Sequence, residues 1–225
     1  MEKHVCPNAT SRDLDCDFDT SETVYTNWAK RLFDVVFSIL LLPILVPVIF
    51  VLYAFVRASG GPGFFGHLRM GKDGRSFRCW KLRTMVPDAK DRLNALLDGD
   101  ARVRAAWQRD RKLQDDPRVT RLGGFLRKTS LDELPQIFNV LKGEMSLVGP
   151  RPVTVDELEK YGVHKVAYLS MRPGVTGLWQ VSGRNEVSYS ERVALDNHYF
   201  RNVSLTLDMG ILVRTSGAVL RRTGM

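Results

Sequence analysis

Asp132 and Glu133, in RKTSLDELPQ, offer the clearest foothold for chemistry in this 225-residue chain. Ser130 and Glu133 have the S-x-x-E spacing of a helix-capping box, so a cap beside a solvated acid already accounts for the pair. A second reading gives the acids a reaction. Pro135 favours a helix start close by, where exposed amides and the helix's positive end attract carboxylates and phosphates alike. An ionised Asp132 there can attack phosphorus, and Glu133 can bind a cation or handle a proton.

Such a reaction needs positive charge held in place. Arg127 stands just upstream, Arg151 lies in VGPRPV and Arg184 in SGRNE, the last two in turns marked by Gly and Pro. A guanidinium fork matches two phosphate oxygens, which makes these arginines candidate phosphate ligands; a plain surface role is the alternative for each. Lys81 and Arg83 of CWKLRTM share one side if the segment is extended. They suit either lipid head groups or direct substrate contact. Trp28, Trp80, Trp107 and Trp179 fit core packing or interface anchoring, with stacking on a base or sugar a further role for Trp179.

Other chemistries find no support. No phosphate-binding G-x-x-x-x-G-K-[ST] loop, G-x-G-x-x-G turn or HExxH motif occurs, and Cys6, Cys16 and Cys79 lack metal-ligand spacing. With 33 Lys and Arg against 25 Asp and Glu, the net charge of +8 favours polyanions of some kind. Nucleic acid is the poorer choice, because it leaves the most distinctive segment of the chain without a role.

That segment, Val35 through Val56, runs 22 residues without a formal charge. About 20 helical residues cross a bilayer core of roughly 30 Å, so membrane insertion is expected. Pro43 and Pro47 remove amide donors in mid-run, and basic residues flank both ends, a pattern that suits a hairpin returning to the cytoplasmic face; a straight span is the alternative. Residues 1–27 read as a polar leader, 28–58 as the membrane helix and 59–225 as the remaining domain. Within it we expect a hairpin turning at Lys72-Asp73-Gly74, two amphipathic helices over 86–113 interrupted near Gly99, a helix over 131–142 stopped by Gly143, a polar helical stretch near 154–169, and helices from Tyr189 onward.

Taken in order, KRLFDVVFSILLLPILVPV, CWKLRTM, RLGGFLRKTSLDELPQIFNVLKGEMSLVGPRPV, RPGVTGLWQVSGRN and LDMGILV resemble the bacterial sugar transferases, the monotopic polyprenyl-phosphate hexose-1-phosphate transferases, over about residues 28–222. The resemblance implies an α/β membrane-associated fold: a re-entrant helix broken at Pro47, amphipathic interfacial helices and small extended elements, on the cytoplasmic face of the bacterial inner membrane. It implies a two-step exchange through a phosphosugar on Asp132, with Glu133 beside it, Mg2+ required and these two acids its candidate ligands. Arg127, Arg151 and Arg184 match family arginines; Asp208 matches a recurrent acid without an assigned role. Many relatives have Ser before the proline, where this chain has Val46. The expected partners are a UDP-hexose, undecaprenyl phosphate and anionic lipids, with a homo-oligomer compatible. UDP-galactose is the expected donor from likeness to exopolysaccharide-initiating enzymes, and UDP-glucose stays open. A noncatalytic membrane scaffold is the competing function.

Overall fold

An uninterrupted apolar run and a short basic domain must share one core, and the way they do so positions everything else. The computed structural model describes residues 25–110, 113, 116–183 and 187–220. Helix α1 spans Lys30–Ala58 after a wider π-type turn at Tyr25–Ala29, and it passes through Pro43 and Pro47 without interruption. The helix continues past Pro47, the residue at which the resemblance implies a break. Only 11% of its most apolar 18-residue window is buried. Ile39, Leu40, Ile44, Phe50 and Phe55 are exposed, the signature of a helix whose neighbour is lipid rather than protein.

The helix is nonetheless fastened to the domain at both ends. Near its start the Arg31 guanidinium donates to the carbonyls of Val140 (2.6 Å) and Leu141 (3.0 Å), and the buried Asp34 accepts from the Leu147 amide at 3.0 Å. Lys30, Tyr25 and Tyr199 all donate to Asp208, which is wholly buried. This clasp gives the unassigned acid a structural role: it joins the helix's beginning to the C-terminal helices. Near its end, Val56 forms a small core with Leu82 and Leu126, against which Leu52, Tyr53, Leu122 and Leu131 pack.

Strands β1 (Phe64–Met70) and β2 (Ser76–Leu82) form the expected antiparallel hairpin, turning through Lys72–Gly74. Helices α2 (Ala89–Gly99) and α3 (Ala101–Asp110) follow, interrupted where the sequence indicated. Helix α4 (Arg121–Thr129) is capped by the Thr120 hydroxyl, and α5 (Gln136–Lys142) ends at Gly143 in the left-handed conformation. Strands β3 (Ser146–Val148) and β4 (Gly174–Thr176) make a short parallel pair. Between them lie α6 (Val155–Glu159), a 3₁₀ turn at Gly162–His164 and α7 (Lys165–Leu169); α8 (Leu178–Val181), α9 (Tyr189–Arg201) and α10 (Leu205–Leu220) complete the chain. The main core draws Ile49 from α1, Phe77 and Cys79 from β2, Ile137 and Val140 from α5, and Ile211 from α10.

Two local devices set the register of the site. Asn139 of α5 acts as a strand partner for β2, accepting from the Trp80 amide at 3.0 Å and donating to the Arg78 carbonyl at 2.8 Å. Gly123 lets α4 lie directly on the chain beyond β2, since a Cβ there would stand 2.0 Å from the Thr84 carbonyl oxygen.

Candidate active site

The acids Asp132 and Glu133 occupy a single 3₁₀ turn, Leu131–Glu133, wedged between α4 and α5. The turn is launched by Ser130 in the left-handed region (φ 57°), a conformation that L-residues other than Asn or Asp seldom adopt. Ser130 makes no side-chain cap, so the capping-box account of this sequence does not hold; α5 begins only at Gln136, behind Pro135. The acids precede that short helix in a turn of their own.

Asp132 is only 8% exposed. Burial pushes its carboxyl up from 3.8 to about 6; the ammonium of Lys81 and the guanidinium of Arg127 oppose this rise, while Glu133 adds to it. Desolvation thus outweighs the stabilisation expected from a nearby helix start. Glu133 goes the other way. Burial alone would raise it, but Lys81, which donates to its Oε1 at 2.5 Å, together with Arg151 and Arg69, holds its carboxyl below the usual range. Two adjacent carboxyls with opposite shifts have the arrangement expected of groups with different tasks.

The cations come from separate elements. Lys81 is the penultimate residue of β2 and reaches Glu133 directly. Arg127, in the last turn of α4, donates through Nε to the Thr84 hydroxyl at 2.9 Å, which fixes its side chain beside Asp132. Arg151 follows β3, and its guanidinium rests 5.6 Å from the centre of the Trp179 ring, within cation–π range. Arg83 stands outside this group: it lies one residue past β2, its amide donates to the Gly63 carbonyl at 2.9 Å, and its guanidinium lies beside Gly61. Arg184 lies outside the described residues. Trp179 is 4% exposed, which makes it a platform for arginines rather than a surface for stacking a base.

Sequence reasoning passed over four contributors. Thr84 and Asn139 position the named residues through hydrogen bonds that no spacing announces. Arg69, paired to Glu157 at 2.7 Å, adds its charge near Glu133, though it read only as a positive flank of the membrane run. Arg192, 4.6 Å from the Trp179 ring centre, lies in the stretch from Tyr189 onward that read only as helical.

Among the described residues no group of three or more acids, histidines or cysteines converges as a metal cage. The donor set does suit magnesium, which keeps most of its waters and takes one or two carboxylates together with substrate phosphates. Asp132 and Glu133 are hard oxygen donors side by side, and only one oxygen of Glu133 is engaged by Lys81.

A long apolar helix fastened to a basic domain that holds a buried carboxyl turn among cations is the architecture of a membrane-associated protein. The sequence belongs to the bacterial sugar transferase family, whose family profile matches residues 25–222. It is 51% identical over 199 residues to the undecaprenyl-phosphate galactose phosphotransferase of Salmonella typhimurium, covering 88% of this chain but 42% of that one. It is 49% identical to the exopolysaccharide production protein ExoY of Rhizobium meliloti, over 87% of each chain. With the UDP-glucose:undecaprenyl-phosphate glucose-1-phosphate transferase of Klebsiella pneumoniae it shares 39% identity, across 83% of this chain and 39% of that protein. The chain therefore spans about two fifths of the Salmonella and Klebsiella relatives and most of ExoY.

Proposed function

We propose that this protein transfers hexose-1-phosphate from a UDP-hexose to undecaprenyl phosphate, releasing UMP and starting an exopolysaccharide repeat unit. One observation carries this reading: the carboxyl turn and the end of the apolar helix share a core. Leu131, next to Asp132, and Leu82, next to Lys81, both pack in the cluster that holds Val56 of α1. A nucleophile placed there can meet a phosphate whose lipid tail remains in the bilayer. The activities for which the Salmonella and Klebsiella relatives are named agree with it.

In the first step an Asp132 carboxylate oxygen attacks the sugar-proximal phosphorus of the donor. The bond from that phosphorus to the bridging oxygen breaks, its electron pair leaves with UMP, and an acyl-phosphate sugar remains on Asp132. In the second step an oxygen of undecaprenyl phosphate attacks the same phosphorus and expels the carboxylate, forming the lipid diphosphate sugar. Arg127 and Arg151 orient and neutralise phosphate oxygens, and Lys81 keeps Glu133 ionised beside the nucleophile. Asp132 and Glu133 would hold magnesium together with the donor's phosphates, and the ion would supply further charge neutralisation. Galactose is the favoured sugar, since the Salmonella relative named for it is more similar than the Klebsiella relative named for glucose.

The proposed architecture is monotopic, on the cytoplasmic face of the inner membrane. A helix of this length extends about 43 Å at 1.5 Å per residue, enough to span. Yet its two ends are tied to one polar domain, and a transverse span would draw the attached strands and carboxylates into hydrocarbon. A re-entrant or shallow path avoids that cost.

The test is intact-protein mass spectrometry after a rapid acid quench. Given UDP-galactose or UDP-glucose and magnesium without lipid, the protein should gain a hexose-phosphate mass mapping to Asp132 and release about one equivalent of UMP. Asp132→Asn should show neither. An adduct on another residue, or full turnover by Asp132→Asn, would refute the mechanism.

A further inference from the structure

Two guanidinium groups converge on one buried indole. Arg151 stands 5.6 Å and Arg192 4.6 Å from the centre of the Trp179 ring. Arg192 rises from the first turn of α9, whose start is fixed by a reciprocal capping box between Ser188 and Glu191. Its Nε donates to the Val187 carbonyl at 3.2 Å, which sets the stem and aims the fork toward the indole.

Like charges held this close in a half-buried place repel unless something negative answers them. Among the described residues the nearby acids answer these charges only in part. Glu157 is paired with Arg69 at 2.7 Å, and Asp196 accepts from the Tyr161 hydroxyl at 2.8 Å through one oxygen while burial pushes its carboxyl up to about 7 against the pull of Arg151 and Arg192. Among the described residues neither Arg151 nor Arg192 forms an ion pair with a carboxylate, and no hydrogen bond from the terminal nitrogens of Arg192 is found. The charge of Arg151 also lowers the Glu133 carboxyl, so one of the two guanidinium groups lies near the carboxyl turn.

We propose that Arg192 is a further phosphate-binding residue, which with Arg151 and the Trp179 platform forms a two-arginine clamp for a phosphate group of one of the two substrates. The proposal rests on the transferase reading above for the identity of those substrates. The clamp's chemistry suits either the donor's diphosphate or the acceptor's monophosphate. Indole stacking and a planar fork act together here, so lysine is a poor replacement.

The experiment compares wild type, Arg192→Gln and Arg192→Lys as full-length protein in detergent, with magnesium, UDP-galactose and undecaprenyl phosphate varied in turn and UMP as the readout. Arg192→Gln should raise the KM for one substrate tenfold or more while kcat stays within about threefold, and Arg192→Lys should recover only part of the loss. A rise confined to UDP-galactose assigns the clamp to the donor diphosphate; a rise confined to undecaprenyl phosphate assigns it to the acceptor. Both KM values within twofold of wild type would overturn the proposal, as would a fall in kcat at unchanged KM with a lowered melting temperature, the mark of a purely structural arginine. Should Arg192→Gln fail to fold, Arg192→Lys decides by the same KM criteria. Wild type that releases no UMP with either UDP-galactose or UDP-glucose sinks the transferase reading instead. Equilibrium dialysis of UDP and of undecaprenyl phosphate then tests the clamp by itself, tenfold weaker binding of one by Arg192→Gln supporting it and equal binding of both refuting it.

Discussion

The pH dependence of the first half-reaction follows from the environment of Asp132. Burial lifts this carboxyl from 3.8 to about 6, and the nucleophile is the ionised form. Without bound magnesium a midpoint near 6 leaves about a tenth of the protein ionised at pH 5 and about nine tenths at pH 7, so the lipid-independent rate of UMP release should rise over that interval, by at most about tenfold because a cation on the carboxyl lowers the midpoint. An unshifted carboxyl would already be about nine tenths ionised at pH 5 and would give a nearly flat profile. Subsaturating donor reports the free protein's value. Two variants separate the causes. Lys81→Met removes a charge that lowers the carboxyl and should move the midpoint up; Glu133→Gln removes a neighbouring negative charge and should move it down. The assay is quenched-flow UMP release without lipid, from pH 4.5 to 8. A flat wild-type profile, or both variants shifting the midpoint in the same direction, would refute the reasoning.

The same burial has a cost in stability. A carboxyl whose folded value exceeds its unfolded one favours the protonated fold, so its contribution is fully present below about 4 and lost as pH rises through about 6. Asp132→Asn should therefore stabilise the protein at pH 7 by up to about 3 kcal/mol and change little at pH 3.5, as read by chemical unfolding in detergent. Asp208→Ala leaves Lys30, Tyr25 and Tyr199 without their common acceptor and should destabilise by roughly 3 kcal/mol, with faster proteolysis around Trp28 as the readout; wild-type protection would remove the clasp. Cysteines introduced just before Trp28 and just after Arg57 should both resist an impermeant reagent in intact cells, and labelling of one alone would establish a span.

What the sequence disclosed depended on how local each feature is. The hairpin, the paired helices before Asp110 and the stop at Gly143 follow from neighbouring residues and are where periodicity puts them. The carboxyl turn was misread in form though not in place: S-x-x-E spacing is also satisfied by a 3₁₀ turn launched from a left-handed serine, and spacing does not report φ. Features made by distant partners were silent. Nothing near Asn139 or Thr84 announces that one substitutes for a strand and the other anchors Arg127, since those contacts join residues 59 to 61 and 43 positions apart. Asp208 is the same case at greater range, its partners lying on three elements. Lys81 and Arg83 share a strand face by parity only if the strand continues, and β2 stops between them.

Burial and charge at Asp132 answer a problem that neither solves separately. A solvated aspartate is a weak nucleophile; removing it from water raises its basicity, yet unopposed removal would keep it protonated at neutral pH. Lys81 from β2 and Arg127 from α4 bring ionisation back within reach while the carboxyl stays 8% exposed. In the proposed two-step reaction that enclosure would also shield the acyl phosphate from water, which is needed if the lipid is to be the second attacker. In the proposed reaction the second attacker would arrive through the bilayer, and the cluster joining Val56 to Leu82 and Leu131 fixes the carboxyl turn against the end of the apolar helix. A displacement of α1 relative to this cluster would therefore slow lipid-dependent turnover while leaving the lipid-independent release of UMP intact, so Val56→Ala should separate the two half-reactions, and an equal loss in both would show that the helix serves stability alone.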